Sequence, residues 1–103
     1  MIKVSILYPN TDTTSFDMNY YSNRHIPMVK EKLGAPCKSV AVEGGLGGGT
    51  PDSPPLYVAM GHLYFDTVDD FQSAFGPHAE AIMGDIPNYT NVDPIIQVSQ
   101  VHI

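Results

Sequence analysis

Residues 2–8, IKVSILY, place Ile2, Val4, Ile6 and Tyr8 on one side and Lys3, Ser5 and Leu7 on the other. Period-2 alternation of this kind predicts a strand. The turn formers PNTDTTS occupy 9–15, and Thr14 or Ser15 can cap a helix with Asp17 in its first turn, where a negative charge suits the dipole. The helix is expected from about Phe16 to Leu33, and Gly34 is a natural stop. A second strand is expected over 36–43. A glycine- and proline-rich connection, GGLGGGTPDSPP, fills 44–55. The third strand, LYVAMGHLYF, covers 56–65 and has the clearest pattern in the chain. Thr67 can cap a second helix from Val68 to about Phe75, which Gly76-Pro77 breaks before HAEAIMGDI continues it. A loop over 87–94 leads to a last strand over 95–103.

The order is therefore βαββαβ. Right-handed crossovers after the first and third strands give a ferredoxin-like α+β sandwich with a four-stranded antiparallel sheet and helices on one face only. The last strand carries Ile95, Val101 and Ile103 on one side and Ile96 and Val98 on the other. Both faces of the sheet then hold apolar residues, and a second copy packed on the helix-free face is expected, giving a homodimer. No internal repeat or linker divides the chain, so residues 1–103 read as one domain.

Composition narrows the partners. The net charge is -6, from 11 acids and 5 bases, and no basic run occurs, which argues against nucleic acid and anionic membrane surfaces. No apolar stretch is long enough to span a bilayer. Cys37 is the only cysteine, so an intrachain disulfide and a cysteine-based zinc site are excluded. The reading is a cytoplasmic protein.

The candidate chemistry gathers in YYSNRHIPM, residues 20–28. At helical spacing Tyr21, His25 and Met28 or Val29 share a face, with Tyr20 and Arg24 beside it. Pro27 lacks the N–H that would bond to the Asn23 carbonyl, so a kink is expected just after His25. An imidazole in an apolar pocket can act as acid, base or hydrogen-bond donor because it titrates near neutrality. Tyr20, Tyr21 and Arg24 would then orient it or bind a substrate oxygen. The competing reading is a helix histidine satisfied by a carbonyl or a tyrosine hydroxyl. His62, next to a strand glycine that often marks a bulge, is a further candidate to reach a cavity, against the plainer role of a cross-strand neighbour. His78 and His102 read as surface residues. The histidines lack metal-ligand spacing, and no metal or cofactor is expected. GGLGGG lacks the lysine of a P-loop and the βα setting of a dinucleotide fingerprint, leaving a mobile hairpin connection or a lid.

FDMNYYSNRHIPMVKEKLG resembles the helix signature of the EthD family, which is named for ethyl tert-butyl ether degradation. The pattern matches at Phe16, Asp17, Tyr20, Tyr21, His25, Pro27 and Met28, and LYFDTVDDFQSAF and PIIQVSQV are similar to the family as well. The resemblance implies a dimeric α+β barrel in which two sheets pack face to face, and it makes His25 the most distinctive polar position of the motif. It supplies no single reaction. Family members accompany oxidative degradation systems, and relatives of the same barrel include cofactor-independent monooxygenases (oxidoreductases), cyclases and isomerases. The expectation is a small apolar pocket for an oxygenated or aromatic compound in an oxidative catabolic or biosynthetic pathway. His25 would be its catalytic acid/base or polariser, and Tyr20, Tyr21, Arg24 and His62 its binding residues. The alternative is a non-catalytic small-molecule-binding accessory subunit of an oxidoreductase system.

Overall fold

The computed structural model describes all 103 residues. Its strands are β1 (Ile2–Pro9), β2 (Ser39–Gly44), β3 (Tyr57–Phe65) and β4 (Ile95–Gln100), arranged β2-β3-β1-β4. Every neighbouring pair is antiparallel. This is the expected α+β sandwich, with the strands of the split crossover flanking β3.

Register assigns the two faces. The pairs Ile2↔Phe65, Val4↔Leu63 and Tyr8↔Ala59 lie on the helix side, and Lys3↔Tyr64, Ser5↔His62 and Leu7↔Met60 lie on the open side. The helix side holds the core: Val4, Leu63 and Phe65 pack with Val29, Leu33 and Ile82. Tyr8, Tyr21, Ile26, Ala59, Ile86 and Tyr89 form a second cluster beside it. The open side is more polar than the reading of β4 alone suggested. It mixes Leu7, Met60 and Ile95 with Ser5, Glu43, His62, Gln97 and Ser99, because β1, β2 and β3 direct their polar residues there.

The first helix differs from expectation at both its start and its middle. It begins at Met18, because Asp17, rather than Thr14 or Ser15, adopts the extended N-cap conformation and accepts the Tyr20 N–H at 3.0 Å. Segment α1 (Met18–Tyr20) passes into a π turn over Tyr21–His25, and α2 (Ile26–Leu33) completes the helix. The Ile26 N–H reaches back to the Tyr21 carbonyl, one residue further than in an α-helix. Pro27, with no N–H to close an ordinary turn on Asn23, follows immediately, so the irregularity expected at the proline takes the form of a widened turn before it.

Thr67 caps α3 (Val68–Phe75) as expected, accepting the Asp70 N–H at 3.0 Å. A 3₁₀ turn over Gly76–His78 leads to α4 (Ala79–Gly84), and another over Ile86–Asn88 follows. The 44–55 connection extends the β2–β3 hairpin through Gly45 N–H to Val58 O and Gly48 N–H to Ser53 O, both 2.9 Å.

Candidate functional site

Chain stitching between residues 15–17 and 86–91 builds the site. Phe16 and Thr90 form an antiparallel bridge, and the Asp17 N–H donates to the Tyr89 carbonyl at 2.7 Å. The Thr90 hydroxyl donates to the Ser15 carbonyl at 2.6 Å, and Asn91 Oδ1 accepts the Ser15 N–H at 2.8 Å. These bonds hold the Asp85–Tyr89 stretch against the start of the first helix.

The result is a histidine–carboxylate pair. His25 Nδ1 lies 2.9 Å from Asp85 Oδ2. Asp85 Oδ1 accepts the Tyr20 hydroxyl at 2.8 Å and the Asn88 amide at 2.8 Å. Burial alone would raise the Asp85 carboxyl, but the hydrogen bonds from Asn88, His25 and Tyr20 outweigh it and hold the group below its ordinary value. Burial also lowers His25, and this outweighs the upward pull of Asp85. Both directions favour a neutral imidazole facing a charged carboxylate. A carboxylate only accepts, so Nδ1 carries the hydrogen and Nε2 keeps its lone pair.

Nε2 has no hydrogen-bond partner in the protein, although no fully buried polar side-chain atom goes unpartnered. His25 lines a cavity of about 210 Å³ between the sheet and the helices, and Nε2 is its one unpartnered nitrogen. Of the 15 lining residues 13 are hydrophobic, and His25 is the one lining residue that titrates near neutrality. Ile26, Val29, Leu63 and Phe71 supply apolar wall. Ile96 lines the cavity while remaining 46% exposed, which places the mouth beside β4.

Two tyrosines, Tyr8 and Tyr21, also line the cavity, and Tyr89 packs behind them. The Tyr8 and Tyr89 hydroxyls share a hydrogen bond of 2.6 Å, and the Tyr21 hydroxyl interacts with that of Tyr8. Burial raises all three phenols far above their ordinary range, so they remain protonated donors. Tyr21 stacks on His25 with centroids 5.6 Å apart and planes 15° from parallel, a superposition favoured by the π turn that carries both rings. Tyr89 also packs against the imidazole, with centroids 4.7 Å apart and planes tilted by 51°, and it touches Tyr21 at 5.1 Å. Gly61 makes room for this arrangement, because a Cβ there would collide with the Tyr21 hydroxyl.

The structure thus brings together two of the expected residues, His25 and Tyr21, at the cavity. Tyr20 does not line the cavity; it faces an outer groove and reaches the site through its bond to Asp85 and its stacking on Tyr89. Arg24 does not line the cavity. It is exposed and lies in that outer groove with Met28 and Lys32, because the helix turns its side chain away from the sheet. His62 does not reach the cavity either. Strand alternation puts it on the open face, where Nδ1 meets the Ser5 hydroxyl at 3.0 Å and Nε2 meets Glu43 at 3.3 Å. The dent at Gly61 belongs to the opposite face and serves Tyr21. No residue of the 44–55 connection lines the cavity, so that segment is not a lid over it in this conformation. Asp85, Asn88, Tyr8 and Tyr89 were not anticipated. Tyr8 carried a signal in the alternation of β1, whereas Asp85 sits 60 residues from His25 and had none.

A four-stranded antiparallel sheet with helices on one face, and a cavity beside a histidine on a π turn, defines a ferredoxin-like α+β protein. The EthD domain matches residues 9–93, and the chain belongs to the EthD family. A crystal structure of an EthD-like protein from Ralstonia eutropha JMP134 is 43% identical, with a TM-score of 0.95, over 99% of this chain and 92% of that one. A crystal structure of an ethyl tert-butyl ether degradation (EthD) family protein from Bacillus halodurans C-125 shares the fold at 19% identity. Its TM-score is 0.73, over 98% of each chain. No curated protein matches the chain.

Proposed function

We propose that the protein binds and acts on a small oxygenated or aromatic compound in this cavity, with His25 as acid/base or polariser. The observation that carries the reading is the asymmetric use of the imidazole. Nδ1 is anchored on Asp85, and Nε2 is left to an otherwise apolar space. A base of this kind can take a proton from a bound ligand at Nε2 and return it to another atom of the same molecule. The imidazolium formed in between is stabilised by Asp85, and Tyr20 and Asn88 act as positioning residues because they hold the carboxylate. The phenols of Tyr8 and Tyr21 can donate to oxygen that gathers charge. Cofactor-independent oxidation, cyclisation and isomerisation all contain such a proton transfer. The setting is an oxidative catabolic or biosynthetic pathway, and a single unpaired Cys37 supports a cytoplasmic location. No helix is long and apolar enough to cross a membrane.

The working unit in this reading is a homodimer joined through the open sheet faces, for which Leu7, Met60 and Ile95 provide apolar contacts. Equilibrium sedimentation at micromolar concentration is expected to give twice the chain mass, and a monomer would reject the shared barrel.

A cavity with only one group that titrates near neutrality also suits a non-catalytic accessory subunit that carries a ligand for an oxidoreductase. Titrating the protein with small oxygenated arenes, while following the His25 ring by NMR and the ligand by mass spectrometry, separates the two. The enzyme reading expects ligand-dependent His25 shifts and a converted ligand, lost in His25→Gln and kept in Arg24→Gln. Binding without conversion under every condition supports the carrier, and ligands that never perturb His25 overturn both.

A further inference from the structure

We infer that the cavity selects uncharged hydroxylated arenes of one or two rings, taken up with the hydroxyl proton directed at His25 Nε2. This rests on the proposed use of the same cavity and narrows it by charge, size and hydrogen-bond polarity.

Charge comes first. Neither lysine nor arginine lines the cavity. Arg24 and Lys32 line a separate outer groove, which Asp85 also borders. The one carboxylate near the site, Asp85, already faces His25. An organic anion entering from water would therefore lose its hydration and meet no fixed positive partner, which is strongly unfavourable in apolar surroundings. A neutral molecule loses far less.

Hydrogen-bond polarity comes second. Nδ1 donates to Asp85, so the nitrogen left for a ligand is an acceptor, and it is best met by a donor. A phenolic O–H supplies that donor on a flat apolar body, and its oxygen can in turn accept from Tyr21 or Tyr8, whose hydroxyls stay protonated. An ether or a hydrocarbon of the same shape fills the space and leaves Nε2 without a partner, an outcome disfavoured in a buried site.

Size comes third. A dry engineered cavity of about 150 Å³ accommodates benzene. This one, about 210 Å³ and open beside β4, takes a substituted single ring fully and a second ring toward Ile96. Proton transfer, where it follows, moves the hydroxyl proton onto Nε2 and leaves the electron pair on the arene oxygen, giving a phenolate–imidazolium pair with no change of oxidation state.

Four probes of nearly equal shape test the inference on the intact protein: toluene, p-cresol, 4-methylanisole and p-toluate. Affinities are read by NMR titration at neutral pH, with the cavity's Ile and Met methyls as reporters. The expected order is p-cresol tighter than toluene and 4-methylanisole by roughly tenfold, as one well-placed hydrogen bond would give, with p-toluate weakest. In His25→Phe the advantage of p-cresol disappears while toluene still binds. If that variant does not fold, the wild-type order decides alone. Equal binding of p-cresol and 4-methylanisole overturns the inference and leaves the cavity reading standing. Binding of p-toluate as tight as p-cresol overturns the charge argument. Failure of all four to bind overturns the cavity reading itself.

Discussion

His25 and His62 are the two buried histidines of this chain, exposed by 4% and 8%, and their ring nitrogens are partnered differently. His62 sits on a central strand between Ser5 and Glu43, with both ring nitrogens engaged. His25 sits on a helix and lines an apolar cavity, with one nitrogen fixed on a carboxylate and the other without a partner in the protein. Burial alone therefore does not distinguish the two. The distinguishing feature is an unspent nitrogen held in a set tautomer beside a space large enough for a ligand. The same contrast divides the sheet: its helix side is a packed core with a cavity, and its open side is a mixed polar and apolar surface.

The largest test of that division compares one substitution on each side. Phe65 is fully buried on the helix side and packs edge-on against Phe71 at 5.3 Å. Phe65→Ala is expected to cost about 3–5 kcal/mol in urea unfolding. Met60→Asp on the open face has no such core to disrupt. In the proposed homodimer its cost enters through dimerisation, so it should shrink as the protein is diluted. Equal, concentration-independent losses for both variants would break the contrast between the two sides.

Gly61 offers a sharper cut, because it lies on the same strand as His62 but faces the other way. Gly61→Ala would drive a methyl group into the Tyr21 hydroxyl. A forced shift in a packed core costs about 1–3 kcal/mol. Removing that hydroxyl should relieve it, so Gly61→Ala in a Tyr21→Phe background should be clearly less destabilising than in the wild type. A double-mutant cycle with no coupling between the two positions would show that the glycine serves some other contact.

The sequence carries the fold through local periodicities, and these survive into the structure. The alternation in β1 and β3, the Thr67 cap and the Gly-Pro break after Phe75 each act within a few residues. The site was legible only where it shared that locality. Tyr21 and His25 are four apart on one helix, and their stacking follows from that spacing together with the π turn. Asp85 meets His25 only after Asp17, Phe16 and Ser15 have bonded to Tyr89, Thr90 and Asn91, contacts that no short-range pattern encodes. Arg24 and His62 mislead for a related reason. Residue type suggests chemistry, but the facing of a helix or strand decides whether a side chain reaches the cavity, and a neighbour in sequence can face away.

The smallest effect concerns the charge state on which the comparison rests. Burial lowers the His25 pKa below its ordinary 6.5. The unfolded chain then binds more protons than the folded chain as the pH drops past that value, so stability falls with pH. The stabilisation is fully present above about pH 7 and is lost on acidification toward the lowered folded value. Asp85 acts in a separate window, because its contribution is present above its ordinary 3.8 and fades only as the pH falls toward its own lowered value. Urea unfolding midpoints between pH 7.5 and 5 should therefore decline more steeply in the wild type than in His25→Gln. The difference is bounded by one proton, about 1.4 kcal/mol per pH unit. A His25→Gln variant that declines as steeply as the wild type would mean that His25 is not held neutral by its surroundings. The lone pair at Nε2 would then be no more available than either nitrogen of His62.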